Sequence, residues 1–235
     1  MATRRSPQTR PRRPRVVGVI MTPADLYFAL HMSAPPDLFE VRLDHLIKDL
    51  TDLEEAIIKL RAPLIVTARH PREGGANKLS ARRRAALLRR FLEHASYIDI
   101  ELRALRELRS IQRQARAQKI GCIISFHDFK QTPSLARLRA KARTAVAAGA
   151  DIFKVAARTD THAQLQRLLD FFDEQHVDLA VSAMGIGRLG RVARVEFARR
   201  GSILNYAYLG KAQLAGQLSV AQLQRFFRSL HRWCH

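Results

Sequence analysis

Short apolar runs alternate with helical patterns eight times along this 235-residue chain, and that alternation limits the fold more than any other feature. The runs cover residues 16–20, 38–44, 63–68, 97–102, 120–126, 151–156, 177–183 and 201–206. Helix starts are marked between them by Thr22-Pro23, a Thr51-x-x-Glu54 capping box, Ser80, Thr132-Pro133 and a closing Ser219-x-x-Gln222. A strand that returns through a helix pairs in parallel with the strand before it. Eight such units predict a (β/α)8 TIM barrel in the α/β class, as one domain. The alternative is an open doubly wound sheet. Against it, the first strand is not followed by the Gly-x-Gly-x-x-Gly turn of a dinucleotide site.

Charge and cysteine content narrow the setting. Hydrophobic residues make up 47% of the chain, enough for a full core. Residues 1–15 carry six arginines, three prolines and no acid, so they are expected to form a disordered basic arm before a catalytic domain at 16–235, with no second domain. Lys and Arg number 41 against 21 Asp and Glu, a formal charge of +20. Such a balance permits non-specific nucleic-acid binding, chiefly through the arm. Arginines such as Arg82, Arg83, Arg84, Arg89 and Arg90 are scattered over many helices without interleaved aromatics, however. That pattern reads as a solvated basic surface on an enzyme with an anionic substrate. No apolar run spans a bilayer, and the beginning of the sequence has no signal-peptide pattern. Cys122 and Cys234 form neither a metal-ligand pair nor an obvious disulfide, so a reducing cytoplasm is the expected location.

Active sites of such barrels form at the carboxyl ends of the strands. There this sequence places Glu40 and Arg42, then Arg69 with Glu73 in its loop, Asp99 and Glu101, His127, Lys154, Met184, Arg194, Tyr206, and the loop residues Gln213 and Gln217. Lys154 lies inside the apolar run Asp151-Ile152-Phe153-Lys154-Val155-Ala156. A buried lysine is rare, and as a neutral amine it attacks carbonyl carbon to form a Schiff base. The plainer reading leaves its charge in water at a strand end. A histidine on the next strand can move protons near neutral pH, a carboxylate can fix its tautomer, and arginines fit a substrate carboxylate. Asp99 and Glu101 read as structural partners of Lys154 or of loop backbone, and Met184 as packing. Neither a His/Cys cluster with metal-ligand spacing nor a phosphate-cradling loop occurs. Metal-free covalent catalysis on a carbonyl is the reading from the residues alone.

From Val16 to the last helix the chain resembles the type I 3-dehydroquinate dehydratases of the shikimate pathway. Glu40-Val41-Arg42-Leu43-Asp44, Thr67-Ala68-Arg69 with Glu73-Gly74-Gly75, Asp99-Ile100-Glu101, Ser125-Phe126-His127-Asp128-Phe129, the Lys154 run and a Met-Gly loop leading to Arg194 carry the resemblance. It implies that Lys154 forms the imine with 3-dehydroquinate, that His127 is general base and acid, and that Glu73 orients His127. It further implies that Glu40, Arg42 and Arg69 position the substrate, that Arg194 pairs with its carboxylate, and that Gln213 and Gln217 belong to a closing loop. Neither metal nor organic cofactor is implied, and members are commonly homodimers. Three departures stand out. Two extra residues after Met184-Gly185 make Arg191 a rival to Arg194, and Ala193 stands for a serine. Gln213 replaces the loop serine, and Tyr206 replaces a phenylalanine. Another Schiff-base lyase or aldolase on the same barrel, or a basic nucleic-acid-binding protein, are the competing functions.

Overall fold

A computed structural model describes residues 13–48, 50–174, 177–212 and 215–232. Its strands are β1 (Arg15–Ile20), β2 (Leu38–Arg42), β3 (Leu64–Thr67), β4 (Tyr97–Glu101), β5 (Gly121–Asp128), β6 (Ile152–Arg158), β7 (Ala180–Ile186) and β8 (Leu204–Tyr208). The helices that follow them are α1 (Pro23–His31), α2 (Leu50–Ile57), α3 (Ala81–Arg90), α4 (Arg109–Ala117), α5 (Leu135–Ala147), α6 (His162–Asp173), α7 (Gly190–Arg199) and α8 (Val220–Arg232). Consecutive strands pair in parallel from β1 to β7, and β1 also pairs with β8, Val17 against Tyr206. An open sheet is thereby excluded. The chain is a single-domain (β/α)8 barrel with one looser seam. Between β7 and β8 the described residues form no ladder. Ile203 N–H donates to the Val181 carbonyl at 3.1 Å, Ser182 Oγ to the Leu204 carbonyl at 2.7 Å, and Ala183 N–H to Ser202 Oγ at 3.1 Å.

Period-two alternation sorts side chains between the two sides of the cylinder wall. On β6, Phe153, Val155 and Ala157 face the helices, while Ile152, Lys154 and Ala156 face the bore. An apolar floor of Val17, Leu38, Ile65, Ile123, Ile152 and Leu204 seals the bore. Two residues further along four of these strands stands a polar residue: Glu40, Thr67, Ser125 and Lys154, all buried. The same step runs from Tyr97 to Asp99. The fold therefore raises the polar residues one layer above the floor, toward the carboxyl ends.

The helix starts agree with the sequence in part. Ser80 caps α3, and Ser219 with Gln222 forms the box before α8. Thr51 and Glu54 do not make the expected box, because α2 already begins at Leu50. Both instead bind Arg90 of α3, at 3.3 and 2.9 Å. Ser134, not Thr132, caps α5, and the Thr132 hydroxyl goes to the Arg158 carbonyl. β1 starts at Arg15, inside the stretch read as arm, while residues 1–12 lie outside the described residues.

Candidate active site

Lys154 Nζ sits deep in the bore, 2.9 Å from Asp99 Oδ2 and 3.1 Å from Glu40 Oε1. The Tyr206 ring lies beneath it, with Nζ 3.9 Å from the centroid. Of the two carboxylates read from sequence as possible partners of Lys154, Asp99 touches the amine and Glu101 does not; Glu40 is the second contact. Asp99 is held in turn by Arg69, whose two terminal nitrogens meet its two oxygens at 2.8 Å each. Arg69 Nη1 also reaches Glu101 Oε1 at 3.1 Å and Ser125 Oγ at 2.7 Å. Burial would lower the Arg69 pKa, but Asp99 and Glu101 outweigh it and hold it well above the usual value. Asp99 is the mirror case. Burial raises its pKa, and Arg69 with Lys154 brings it well below the carboxylate range. Arg69 therefore fastens the carboxylates around Lys154 as well as facing the cavity.

A histidine–carboxylate pair comes from β5 and the loop after β3. Glu73 closes the 3-10 turn Pro71–Glu73, and its Oε2 accepts both the backbone N–H of His127 at 2.9 Å and Nδ1 at 3.0 Å. An acceptor at Nδ1 leaves the Nε2 lone pair for chemistry. Burial, then the charges of Arg69 and Lys154, hold the His127 pKa well below 6.5, so the ring is neutral at rest. Burial and the nearby Glu101 push Glu73 up to about 7. The loop turns sharply after Glu73: a Cβ on Gly75 would lie 2.1 Å from the Arg69 carbonyl oxygen, so only glycine fits. Asp44 pins the same loop through Arg42, at 3.0 and 2.8 Å, and through the N–H groups of Arg69 and Ala76.

Arg194 arrives from α7. The helix approaches β7 closely because Gly185 faces Ala193, where a Cβ on the glycine would be 2.4 Å away. Arg194 is 7% exposed, Nη1 donates to the Tyr206 carbonyl at 3.2 Å, and Nε has no partner. No carboxylate pairs with it among the described residues, and burial lowers its pKa to about 10. Arg191 points to solvent. The Tyr206 hydroxyl is also buried without a partner.

A cavity of about 320 Å³ brings together Glu40, Arg42, Arg69, Glu73, His127, Lys154, Arg194 and Gln217, with Met184 and Tyr206 on its wall. Gln213 lies outside the described residues. A cleft of about 410 Å³ near Pro35, Pro36 and Phe227 lacks this convergence of acid, base and amine.

One supporting residue went unnoticed in the sequence. Arg84, read with its neighbours as surface charge, is buried, donates to the Ala68 carbonyl at 2.7 Å and pairs with Glu101. Its signal was spacing: Arg84 shares the inner face of α3 with Leu87 and Leu88, at i+3 and i+4. Without Arg84, Glu101 still has Arg69 and the His70 N–H at 2.9 Å, but it loses one charge-assisted bond and the Ala68 carbonyl loses its donor. Arg84→Met is thus expected to lower stability by about 1.5–3 kcal/mol in a denaturant titration. A loss below about 1 kcal/mol contradicts this role.

The family model described as type I 3-dehydroquinase matches residues 29–233. A 3-dehydroquinate dehydratase of Methanothrix thermoacetophila is 32% identical over 223 residues, 92% of each chain. That of Methanosarcina barkeri is 34% identical over 206 residues, 83% of this chain and 85% of the relative. Among solved structures, the 3-dehydroquinate dehydratase of Geobacillus kaustophilus superposes with a TM-score of 0.84 at 23% identity, covering 94% of this chain and 93% of the other. The Enterococcus faecalis structure gives 0.79 at 26%, covering 92% and 94%. With matches along nearly its whole length, the chain belongs to the type I 3-dehydroquinase family.

Proposed function

We propose that this chain is a hydro-lyase that converts 3-dehydroquinate to 3-dehydroshikimate and water through an imine on Lys154. The observation that carries the reading is a buried Lys154 held by two carboxylates, in one cavity with a neutral histidine oriented by Glu73. Glu40, 3.1 Å away, takes a proton from Lys154, and the free Nζ adds to the C3 ketone carbon. Loss of the carbinolamine oxygen as water leaves an iminium, which makes the C2 proton acidic. His127 Nε2 removes that proton and the electron pair forms an enamine. The enamine expels the C1 hydroxyl, protonated by the same imidazolium, and water hydrolyses the new iminium to free the lysine. One water taken up and two released leave the net loss of one.

Arg194 receives the substrate carboxylate in this reading. A buried guanidinium lacking a counter-charge is costly, and an incoming carboxylate relieves that cost. Glu40, Arg42 and Arg69 face the ring hydroxyls, and Gln213 and Gln217 close over them. A homodimer in the cytoplasm, without metal or organic cofactor, completes the proposal. No helix among the described residues is long and apolar enough to cross a membrane, and Cys122 is a buried free thiol.

Purified protein given 3-dehydroquinate is expected to generate the absorbance of a conjugated enone. No such signal removes the proposal in favour of another Schiff-base lyase or aldolase. In the same assay Arg194→Gln should raise KM about 10- to 150-fold with kcat nearly kept, the loss of one charge-assisted pair. An effect of that size at Arg191→Gln instead reassigns the carboxylate.

A further inference from the structure

Arginines that look dispersed along the sequence are gathered by the fold onto one wall of the barrel. Helices α3, α4 and α5 follow consecutive strands and contain no acidic residue. They are joined side by side: Arg89 donates to Gln114 at 3.4 Å, and Gln112 donates to the carbonyl of Ala148, the residue that caps α5, at 2.7 Å. Arg82, Arg83, Arg109, Arg113, Arg137 and Arg143 are exposed on this wall and have no carboxylate partner among the described residues. The acids that do pair with it stand at its two edges, Glu54 of α2 with Arg90 and Glu174 beyond α6 with Arg139. Glu93 and Glu107, both exposed, lie in the connections outside the three helices.

Such an arrangement works against the fold. Arg109, Arg113 and Arg116 repeat at i, i+4 and i+7 along α4, and like charges at that spacing destabilise a helix. A bound polyanion would reverse the sign of that interaction. Neighbouring helices lie roughly 8–10 Å apart. The wall is therefore about 20 Å across its three helix axes and, at 1.5 Å per residue, about 20 Å along α5. A duplex presents about twelve phosphates over 20 Å of its axis, one per 1.7 Å.

We propose that the wall formed by α3, α4 and α5 binds the phosphodiester backbone of double-stranded nucleic acid, without sequence preference. Arginine forks match phosphate oxygens, and the absence of aromatics from the wall excludes a base-stacking mode. An anionic membrane fits less well, because the large exposed apolar residues Tyr27 and Phe28 lie on α1, Ile58 just after α2 and Val192 on α7, leaving only Val146 here. Pairing with a second copy through this wall would set like charges face to face. The wall consists of the outer faces of the helices, whereas the catalytic groups lie within the bore and its loops, so binding and turnover are separable.

Fluorescence anisotropy of the full chain with labelled duplexes of about 24 base pairs, at salt between about 50 and 200 mM, tests this. Wild type is expected to bind duplex DNA and duplex RNA alike. A variant with Arg82, Arg83, Arg109, Arg113, Arg137 and Arg143 all changed to Gln should bind at least about ten-fold more weakly. Its slope of log K against log salt should be shallower by about 5, and its enone-forming turnover should equal wild type. If that variant does not fold, Arg109→Gln with Arg113→Gln should reduce the slope by about 2. The arm contains Arg4, Arg5, Arg10 and Arg12, and changing these to Gln in the full chain isolates its share. The proposal is overturned if wild type ignores both duplexes at about 50 mM salt. It also fails if the wall variants keep wild-type affinity and slope, if the arm variant alone abolishes binding, or if vesicles rich in phosphatidylserine are bound more tightly than either duplex.

Discussion

Lys154→Ala is expected to reduce turnover of 3-dehydroquinate by about 10⁴- to 10⁶-fold, the scale on which losing a covalent nucleophile is felt. The fold should survive the change. Asp99 keeps its bidentate pair with Arg69 and its bond from Ser125 at 2.6 Å. Glu40 keeps the Thr67 hydroxyl at 2.9 Å, with Arg69 at 3.6 Å. Neither carboxylate is left alone in the bore, so thermal unfolding should still be cooperative. Borohydride with substrate should trap a stable adduct on wild-type protein, and peptide mass mapping should place it on Lys154. None should form on Lys154→Ala. A trapped adduct on a different lysine, or full turnover by the alanine variant, ends the imine mechanism.

His127→Ala separates the covalent step from the proton transfers. Turnover should fall about 10²- to 10⁴-fold, the usual contribution of a positioned acid–base group. The borohydride adduct on Lys154 should nevertheless accumulate, because Glu40 remains to take the amine's proton. For wild type, the direction of the pKa shifts fixes the shape of the pH profile. Proton abstraction in the proposed mechanism needs neutral His127, whose pKa is held well below 6.5 by burial and by Arg69 and Lys154. Glu73, at about 7, takes up the first proton on acidification and then no longer stabilises an imidazolium. The pair titrates as a unit, so kcat/KM should fall in two stages as pH drops. The first is a partial loss near pH 7, and the second is a complete loss well below the ordinary histidine range. Glu73→Gln should erase the first stage and lower the plateau. A single step at about 6.5, the value for free histidine, contradicts this account.

Much of this was legible because barrel architecture is written in short-range pattern. The alternation in β6 already places Lys154 inside and Phe153 and Val155 outside, with no knowledge of partners. The caps at Ser80 and Ser219 are local as well. What pattern could not supply was who meets whom. Asp99 and Lys154 are 55 positions apart, and the sequence leaves open whether Asp99 meets the amine or loop backbone. That Glu40, 114 positions away, also touches the amine is visible only in the fold. Arg84 was misread because it sits in a run of arginines, and composition drew attention away from its place on the inner face of α3. Thr51 and Glu54 had the right letters for a box, but the α3 side chain Arg90 claims both. The scattering of arginines was likewise an impression of one dimension, since helices separated by a strand in sequence are neighbours around a cylinder.

The weak join between β7 and β8 divides the enzyme into a stiff part and a yielding part. Glu73, His127, Asp99 and Lys154 all stand on or beside strands linked by an unbroken run of ladders. Arg194 hangs from the helix after one lip of the join, and Tyr206 belongs to the other lip. Any spreading of the barrel along that line moves Arg194, to which we assign the substrate carboxylate, while Glu73, His127, Asp99 and Lys154 keep their mutual distances. Tolerance for ligands of different length should accordingly reside at the carboxylate end, and the bond-breaking end should admit little variation.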